Sequence, residues 1–319
     1  MKIVFLEVNT LGKDVTLERF KELGDVVTYP LSDPAENANR IKDADIVVVN
    51  KIPVNDSLLK DAPNVKLVCL TATGTNNVDF DYTNSKGIAV ANVRGYSTES
   101  VVQHTFAMLF YLYEKLSYYD NFVKSEEYVR NDVFSHFTVP FRELCGKTWG
   151  IIGLGTIGMR VAETAKAFGC KVIYYSTSGK HDCETYERKS LEDLLKESDI
   201  VSIHAPLNAD TFQLMNKERF ALMKKEAILL NLGRGPIIKE DDLAEALQSG
   251  MIAGAGLDVL CAEPMAKDNP LIPIKDSTKL LITPHIAWAT VEARQRCADE
   301  VYENIKAYFR GEKRNIVTA

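Results

Sequence analysis

Lys147-Thr148-Trp149-Gly150-Ile151-Ile152-Gly153-Leu154-Gly155-Thr156-Ile157-Gly158 runs from a short apolar stretch straight into a glycine loop and then into a helical pattern. A strand covered on both faces reads as such a continuous apolar run. The glycines allow a tight turn, a close approach of backbone N–H groups to a pyrophosphate, and close packing of helix on strand. The helix that follows, expected over 157–168, would present its unpaired N–H groups and the positive end of its dipole to that anion. Gly169 is a good terminator for it, and Lys171-Val172-Ile173-Tyr174-Tyr175 supplies the next strand of a βαβ unit. A glycine turn by itself can serve packing alone. Strand, loop, helix and strand in this order point to a dinucleotide cradle.

The chain has 319 residues, enough for two domains with separate cores. Its composition is that of an ordinary globular protein, and no apolar run approaches the ~20 residues that span a bilayer. The opening Met1-Lys2-Ile3-Val4-Phe5-Leu6-Glu7 reads as a first strand rather than a signal peptide, so a cytoplasmic protein is expected. Net charge is −6 with lysines and arginines scattered, which argues against a nucleic-acid partner. Cys69, Cys145, Cys170, Cys183, Cys261 and Cys297 show no metal-site or redox-pair spacing, and most of them read as reduced core thiols. No metal is expected.

Before the cradle, β-rich runs at 3–6, 26–29, 46–50, 67–71 and 88–91 alternate with helix-like segments at 16–23, after Asp33-Pro34, at 57–61 and at 79–86. Such alternation predicts a parallel sheet wrapped on both faces, with ligands at the carboxyl ends of strands. Lys51 in Asn50-Lys51-Ile52-Pro53, and Thr73 and Gly74 in Thr71-Ala72-Thr73-Gly74-Thr75-Asn76-Asn77-Val78-Asp79, are the substrate candidates there. The second loop can offer N–H groups to an anion, or can simply cap the next helix through its asparagines and Asp79. A long helix then opens at Ser97 or Thr98. The aromatic 118–145 segment that follows has no clean period and either covers a core or packs on another subunit, the second being favoured. Further strands are expected at 200–204, 227–231, 252–259 and 280–283, helices at 191–196, 217–223 and 241–248, and a last helix at 290–309.

Three strand ends in this second half carry charge: Asn231-Leu232-Gly233-Arg234-Gly235, then Asp258 with Glu263-Pro264, then Thr283-Pro284-His285-Ile286-Ala287-Trp288. Arg234 can bind a carboxylate with two parallel hydrogen bonds and polarise an adjacent carbonyl. His285 can hand a proton to the carbonyl oxygen as hydride reaches carbon, and Glu263 would favour its imidazolium form. Singly, each residue has a plain structural reading; together, downstream of a dinucleotide loop, they point to hydride transfer.

The sequence resembles the D-isomer-specific 2-hydroxyacid dehydrogenase family along nearly its whole length, through the stretches quoted above together with Gly95-Tyr96-Ser97-Thr98, Gln103-His104-Thr105-Phe106-Ala107, His204-Ala205-Pro206-Leu207 and Gly256-Leu257-Asp258-Val259. The resemblance implies two doubly wound parallel-sheet α/β domains, a Rossmann dinucleotide-binding domain at 99–289 and a smaller flavodoxin-like substrate domain at 1–98 plus 290–319. It implies reversible reduction of a small 2-keto acid to the D-2-hydroxy acid by NAD(P)H, with Arg234, Glu263 and His285 catalytic and Lys51, Thr73, Gly74, Arg234 and Trp288 on the substrate. On the cofactor it implies Gly153, Gly155, Thr156, Ile157 and Gly158, then His204, Ala205, Pro206 and Thr211; Ser176 and Lys180 join that set as a departure from the family pattern, read from their own chemistry. Leu232, Gly233, Asp258, His285 and Ala287 complete that set. A homodimer built on the 101–112 helix face and the 118–141 segment is also implied.

Within the family the Glu263–His285 pair disfavours a formate enzyme, and the short run past His285 disfavours a phosphoglycerate enzyme with an appended regulatory domain. Ala287-Trp288-Ala289-Thr290 is similar to glycerate dehydrogenases, also called hydroxypyruvate reductases, so hydroxypyruvate and glyoxylate are the leading substrates; D-lactate-type or phosphoglycerate-type specificity is the alternative. A non-enzymatic NAD(H)-sensing protein like the family's corepressors is the rival from another class. NAD-preferring members carry an acidic residue where this chain has Ser176, followed by Thr177-Ser178-Gly179-Lys180. Small hydroxyls and a lysine in that place favour NADP(H), with use of both cofactors as the alternative.

Overall fold

The computed structural model describes residues 1–180 and 182–318, which divide into two units, 1–97 with 289–318 and 98–288. In the first unit five strands, β1 (Lys2–Phe5), β2 (Asp25–Thr28), β3 (Ile46–Val49), β4 (Leu67–Leu70) and β5 (Ala89–Ala91), form an all-parallel sheet in the order β2-β1-β3-β4-β5. β3 and β4 are the unbroken runs Ile-Val-Val-Val and Leu-Val-Cys-Leu, and every residue of both is buried. Layers on both faces therefore remove any need for polar alternation. This strand order is that of flavodoxin-like sheets.

The helix Val291–Phe309 packs on β4, burying Ala293, Cys297, Ala298, Val301, Tyr302 and Ile305 at three- and four-residue spacing. Thr290 caps it by accepting from the Ala293 N–H, and Arg294 forks onto both carboxylate oxygens of Asp14. Two helical expectations change here. Residues 16–23 contain only a 3-10 turn, Glu18–Glu22, and the segment after Pro34 makes a single α turn, Asn37–Arg40. Each buries one side chain, Phe20 or Asn37, too little to stabilise a run that short against the cost of nucleating a helix.

The second unit holds seven strands, β6 (Thr148–Ile152), β7 (Lys171–Tyr175), β8 (Glu187–Arg188), β9 (Ile200–Ile203), β10 (Ile228–Asn231), β11 (Gly254–Leu257) and β12 (Leu280–Ile282). They are all parallel, in the order β12-β11-β10-β9-β6-β7-β8. β6 pairs with β7 on one side and β9 on the other, so strand order reverses at the end of β6. Ligands of open parallel sheets sit at that point, outside the carboxyl ends. Trp149 is fully buried there, its indole N–H donating to Ser202 Oγ at 2.9 Å.

Besides two 3-10 turns, Glu127–Arg130 and Gly235–Ile237, a strand and a helix of this unit have no counterpart in the sequence reading. β8 is two exposed charged residues with no apolar pattern. Leu116–Lys124 is a helix inside the aromatic segment, and only Ser117 of it is buried, so no core-facing stripe marks it. Tyr118, Tyr119, Phe122 and His136 pack on one another instead, with the Phe122 and His136 rings stacked at 3.8 Å.

Candidate active site

The glycines of the cradle divide by what surrounds them. Gly153 leaves β6 at φ +91°, where a Cβ would stand 2.9 Å from the Ala205 backbone, and a Cβ on Gly158 would collide with the Gly153 carbonyl. Both are packing glycines. Around Gly155 nothing lies within 4 Å of the place a Cβ would take. The helix Thr156–Ala167 starts beside that open space, with Gly155 as its cap and no side-chain hydrogen bond on its first turn. Room, unspent N–H groups and a dipole end are what a pyrophosphate needs, so these residues fit a dinucleotide.

Neighbouring strand ends close around the same place. Ala205, after β9, also lies against Gly233, after β10, because a Cβ on Gly233 would meet the Ala205 carbonyl oxygen at 2.8 Å. Both ring nitrogens of His204 are buried with no partner, and burial pushes its imidazole down to about 3, so it is neutral. Thr211 is fully buried and donates to the Pro206 carbonyl at 2.7 Å, which ties the 206–211 turn together.

Arg234 follows β10. Its Nη1 donates to the Gly233 carbonyl at 2.8 Å, and it forms no ion pair with a carboxylate among the described residues. The next residue, Gly235, lies so close to the chain after β11 that a Cβ would fall on the Leu260 carbonyl, 2.5 Å from the Cys261 nitrogen. Backbone contact thus locks the Arg234 loop to the loop that carries Glu263. Gly235→Ala is expected to destabilise the fold by about 3 kcal/mol and to lower turnover, because neither backbone can yield without moving its charged residue. Urea unfolding checks it, and a variant as stable as the parent would mean that the loops part freely.

Glu263 uses both carboxylate oxygens. Oε1 accepts the Leu260 N–H at 3.0 Å, and Oε2 stands 2.7 Å from His285 Nδ1. A carboxylate only accepts, so Nδ1 carries the hydrogen and Nε2 is the nitrogen that can exchange a proton with a ligand. His285 sits at φ +55°, a left-handed conformation uncommon for a residue with a side chain. Its N–H donates to the carbonyls of Asp258, at 2.8 Å, and Thr283, at 2.9 Å. Trp288 Nε1 donates to the His285 carbonyl at 2.9 Å. Asp258, 2% exposed, accepts from the Ile286 N–H on Oδ1 and the Ala287 N–H on Oδ2, both at 2.9 Å. The side chain named from sequence as a cofactor contact is therefore also the anchor of the histidine loop.

Ser176 is buried just past β7, while Lys180 is exposed and gives its backbone N–H to Ser178 Oγ at 3.3 Å. Arg188, which the sequence reading does not single out, reaches the same loop from β8. Its Nη1 donates to the Gly179 carbonyl at 3.3 Å and to Asp182 Oδ1 at 2.8 Å. Only the pairing of Tyr174 with Arg188 across β7 and β8 brings it there. In the first unit, Glu7 Oε2 gathers the N–H groups of Asn50, Lys51 and Ile52 at 2.7–3.2 Å and leaves the Lys51 side chain exposed. The Thr73 hydroxyl donates to the Val93 carbonyl at 2.8 Å beside a half-buried Gly74. Among the described residues no group of three or more His, Cys, Asp or Glu can hold a metal, and no helix is long and apolar enough to cross a membrane.

An arginine charge without a carboxylate partner among the described residues, a histidine held by a carboxylate and a dinucleotide cradle are the parts that moving hydride and proton together requires. The chain is similar to known proteins along most of its length. The family model described as D-isomer specific 2-hydroxyacid dehydrogenase, NAD binding domain, matches residues 106–287. Hydroxypyruvate reductase of Blautia hydrogenotrophica is 38% identical, with 99% of each chain covered. Glycerate dehydrogenase of Methylorubrum extorquens is 35% identical, over 100% of this chain and 99% of that one. The solved structure of an NADPH-dependent glyoxylate/hydroxypyruvate reductase from Sinorhizobium meliloti, in complex with NADP and malonate, superposes with a TM-score of 0.83 at 26% identity, covering 99% of this chain and 96% of that one. With a family model across most of its second unit and relatives above 30% identity end to end, the chain belongs to the D-isomer specific 2-hydroxyacid dehydrogenases.

Proposed function

We propose that the protein reduces a small 2-keto acid to the D-2-hydroxy acid with NAD(P)H, hydroxypyruvate and glyoxylate being the leading substrates and D-glycerate and glycolate their products. The 2.7 Å bond between Glu263 and His285 Nδ1 is the observation that carries this reading. It leaves Nε2 to protonate the carbonyl oxygen, while Glu263 stabilises the imidazolium before the proton leaves. Arg234 binds the substrate carboxylate and draws electron density from the adjacent carbonyl. A bound nicotinamide would supply the hydride. Lys51, Thr73, Gly74 and Trp288 are assigned to the substrate on the family resemblance, and the names of the relatives favour the hydroxypyruvate and glyoxylate class. A panel of 2-keto acids assayed with both cofactors tests it. Folded protein that turns over none of them, yet captures a peptide in an NADH-dependent way, would transfer the chain to the corepressor-like reading.

The same reading takes NADPH as the preferred reductant. Ser176 removes the carboxylate that would repel a 2′-phosphate, and Ser178, Lys180 and Arg188 can donate to one. Asp182 now holds Arg188, but it is 86% exposed, and an exposed pair worth at most about 1 kcal/mol yields to a dianion. Each charged hydrogen bond gained is worth about 1.5–3 kcal/mol, roughly ten-fold or more in affinity. KM for NADPH is therefore expected at least about ten-fold below that for NADH, with Lys180→Ala and Arg188→Ala raising only the former. A preference for NADH that both variants leave unchanged would remove the loop from cofactor choice.

A cytoplasmic two-fold homodimer completes the reading, built on the 118–141 segment without the 101–112 helix face, because Val101, Val102, Met108, Leu109 and Leu112 of that face are already buried within this chain. Phe134 and Phe137 stand 91% and 83% exposed, and Val129 82%, in one segment. Rings that open to water in a cluster mark a surface made for a partner, and an isologous contact would cover both copies at once. Sedimentation is expected to give twice the chain mass at micromolar concentration; a monomer there would reject the dimer.

A further inference from the structure

The helix Thr98–Tyr113 presents Ser100, His104, Met108 and Leu112 at successive four-residue steps, which stacks them along one face. The far half of that face is apolar. Met108 and Leu112 are buried, and both reach within 3.4 Å of the place a Cβ on Gly256 of β11 would take. The near half is polar and meets the segment that carries His285. Ser100 Oγ donates to the Ala287 carbonyl at 2.6 Å, and His104 Nε2 stands 3.0 Å from Thr283 Oγ1.

The direction of each bond follows from what the groups can do. Asp258 accepts only, so the single hydroxyl hydrogen of Thr283 goes to its Oδ1, at 2.6 Å. The Thr283 oxygen must then accept from His104, whose Nε2 carries the hydrogen. Asp258 thereby holds three donors, and two of them are the N–H groups immediately after His285. A left-handed backbone at a residue such as His285 persists only where its surroundings over-determine it. Hydride and proton transfer make no use of His104 itself.

We propose that His104 is a positioning residue: through Thr283 and Asp258 it holds the backbone of His285 in place and so keeps the imidazole on Glu263. Its kinetic consequence rests on the reaction proposed above; its spectroscopic consequence does not. In protein labelled with 15N-histidine, His104 should show its hydrogen on Nε2, and His285 a low-field Nδ1 proton from the short bond to Glu263. His104→Leu is expected to broaden or abolish that His285 signal and to lower kcat about 10- to 100-fold, with cofactor affinity within about three-fold of the parent. His104→Gln, whose amide N–H can stand where Nε2–H stood, is expected to restore both. Should the leucine variant fold poorly, Thr283→Val removes the relaying hydroxyl at similar volume and carries the same expectation, with Thr283→Ser as its rescue. Parental kcat and a parental His285 signal in His104→Leu or Thr283→Val overturn the role, as does a wild-type spectrum with the His104 hydrogen on Nδ1. Loss of the signal in His104→Leu when even the wild type turns over no keto acid rejects the reaction and keeps the positioning role.

Discussion

His285→Ala is expected to lower kcat by roughly 10²–10⁴-fold while leaving cofactor binding nearly intact. Nδ1 of the ring is spent on Glu263 at 2.7 Å, which leaves Nε2 to face a carbonyl. Without it the developing alkoxide would have to take its proton from water, against a barrier that general acid catalysis normally lowers by several kcal/mol. The cradle around Gly155 is built from other strand ends and should bind its ligand as before. Glu263→Gln should cost less, because the amide oxygen can still accept from Nδ1 but no longer carries the charge that stabilises an imidazolium. Steady-state kinetics, paired with fluorescence titration of reduced cofactor, separates the two effects. Near-normal turnover by His285→Ala would take the histidine out of the chemistry, and lost cofactor binding would show that its contact with the cofactor is its main part.

The parts of this architecture that can be read from sequence are those whose burial is symmetric. β3, β4, β9 and β10 are buried at every residue, so each appears as an apolar run whatever its neighbours are. The glycine loop is readable because its spacing encodes both a turn and an absence of side chains. Short elements that lean on one contact are not readable: Glu18–Glu22 rests on Phe20, and β8 on pairing with the edge of β7. In the site, Arg234, Glu263 and His285 can be picked out because each follows a strand and carries charge. What joins them cannot. The backbone contact at Gly235 and the grip of Asp258 on the residues after His285 arise between separate strand ends, and the approach of Arg188 to Gly179 needs the pairing of β8 with β7. A sequence shows which groups are present at strand ends; only packing shows which of them hold the others still.

Arg234→Ala should lower kcat/KM for a keto acid by about 30- to 4,000-fold, mostly through KM, because truncating one partner of a hydrogen-bonded charge pair costs about 2–5 kcal/mol. The side chain is set for this. One nitrogen is used on the Gly233 carbonyl at 2.8 Å, which orients the guanidinium, and no carboxylate of the described chain neutralises it. Its loop cannot drift, since Gly235 lies against Leu260. Arg234→Lys is the sharper variant. It keeps the charge but offers a point donor in place of a planar fork, so it should bind the carboxylate weakly and align the carbonyl poorly, recovering part of KM and little of kcat. Full recovery of both by lysine would mean that charge alone matters at this position, and an alanine variant with parental KM and kcat would show that the substrate carboxylate is held elsewhere.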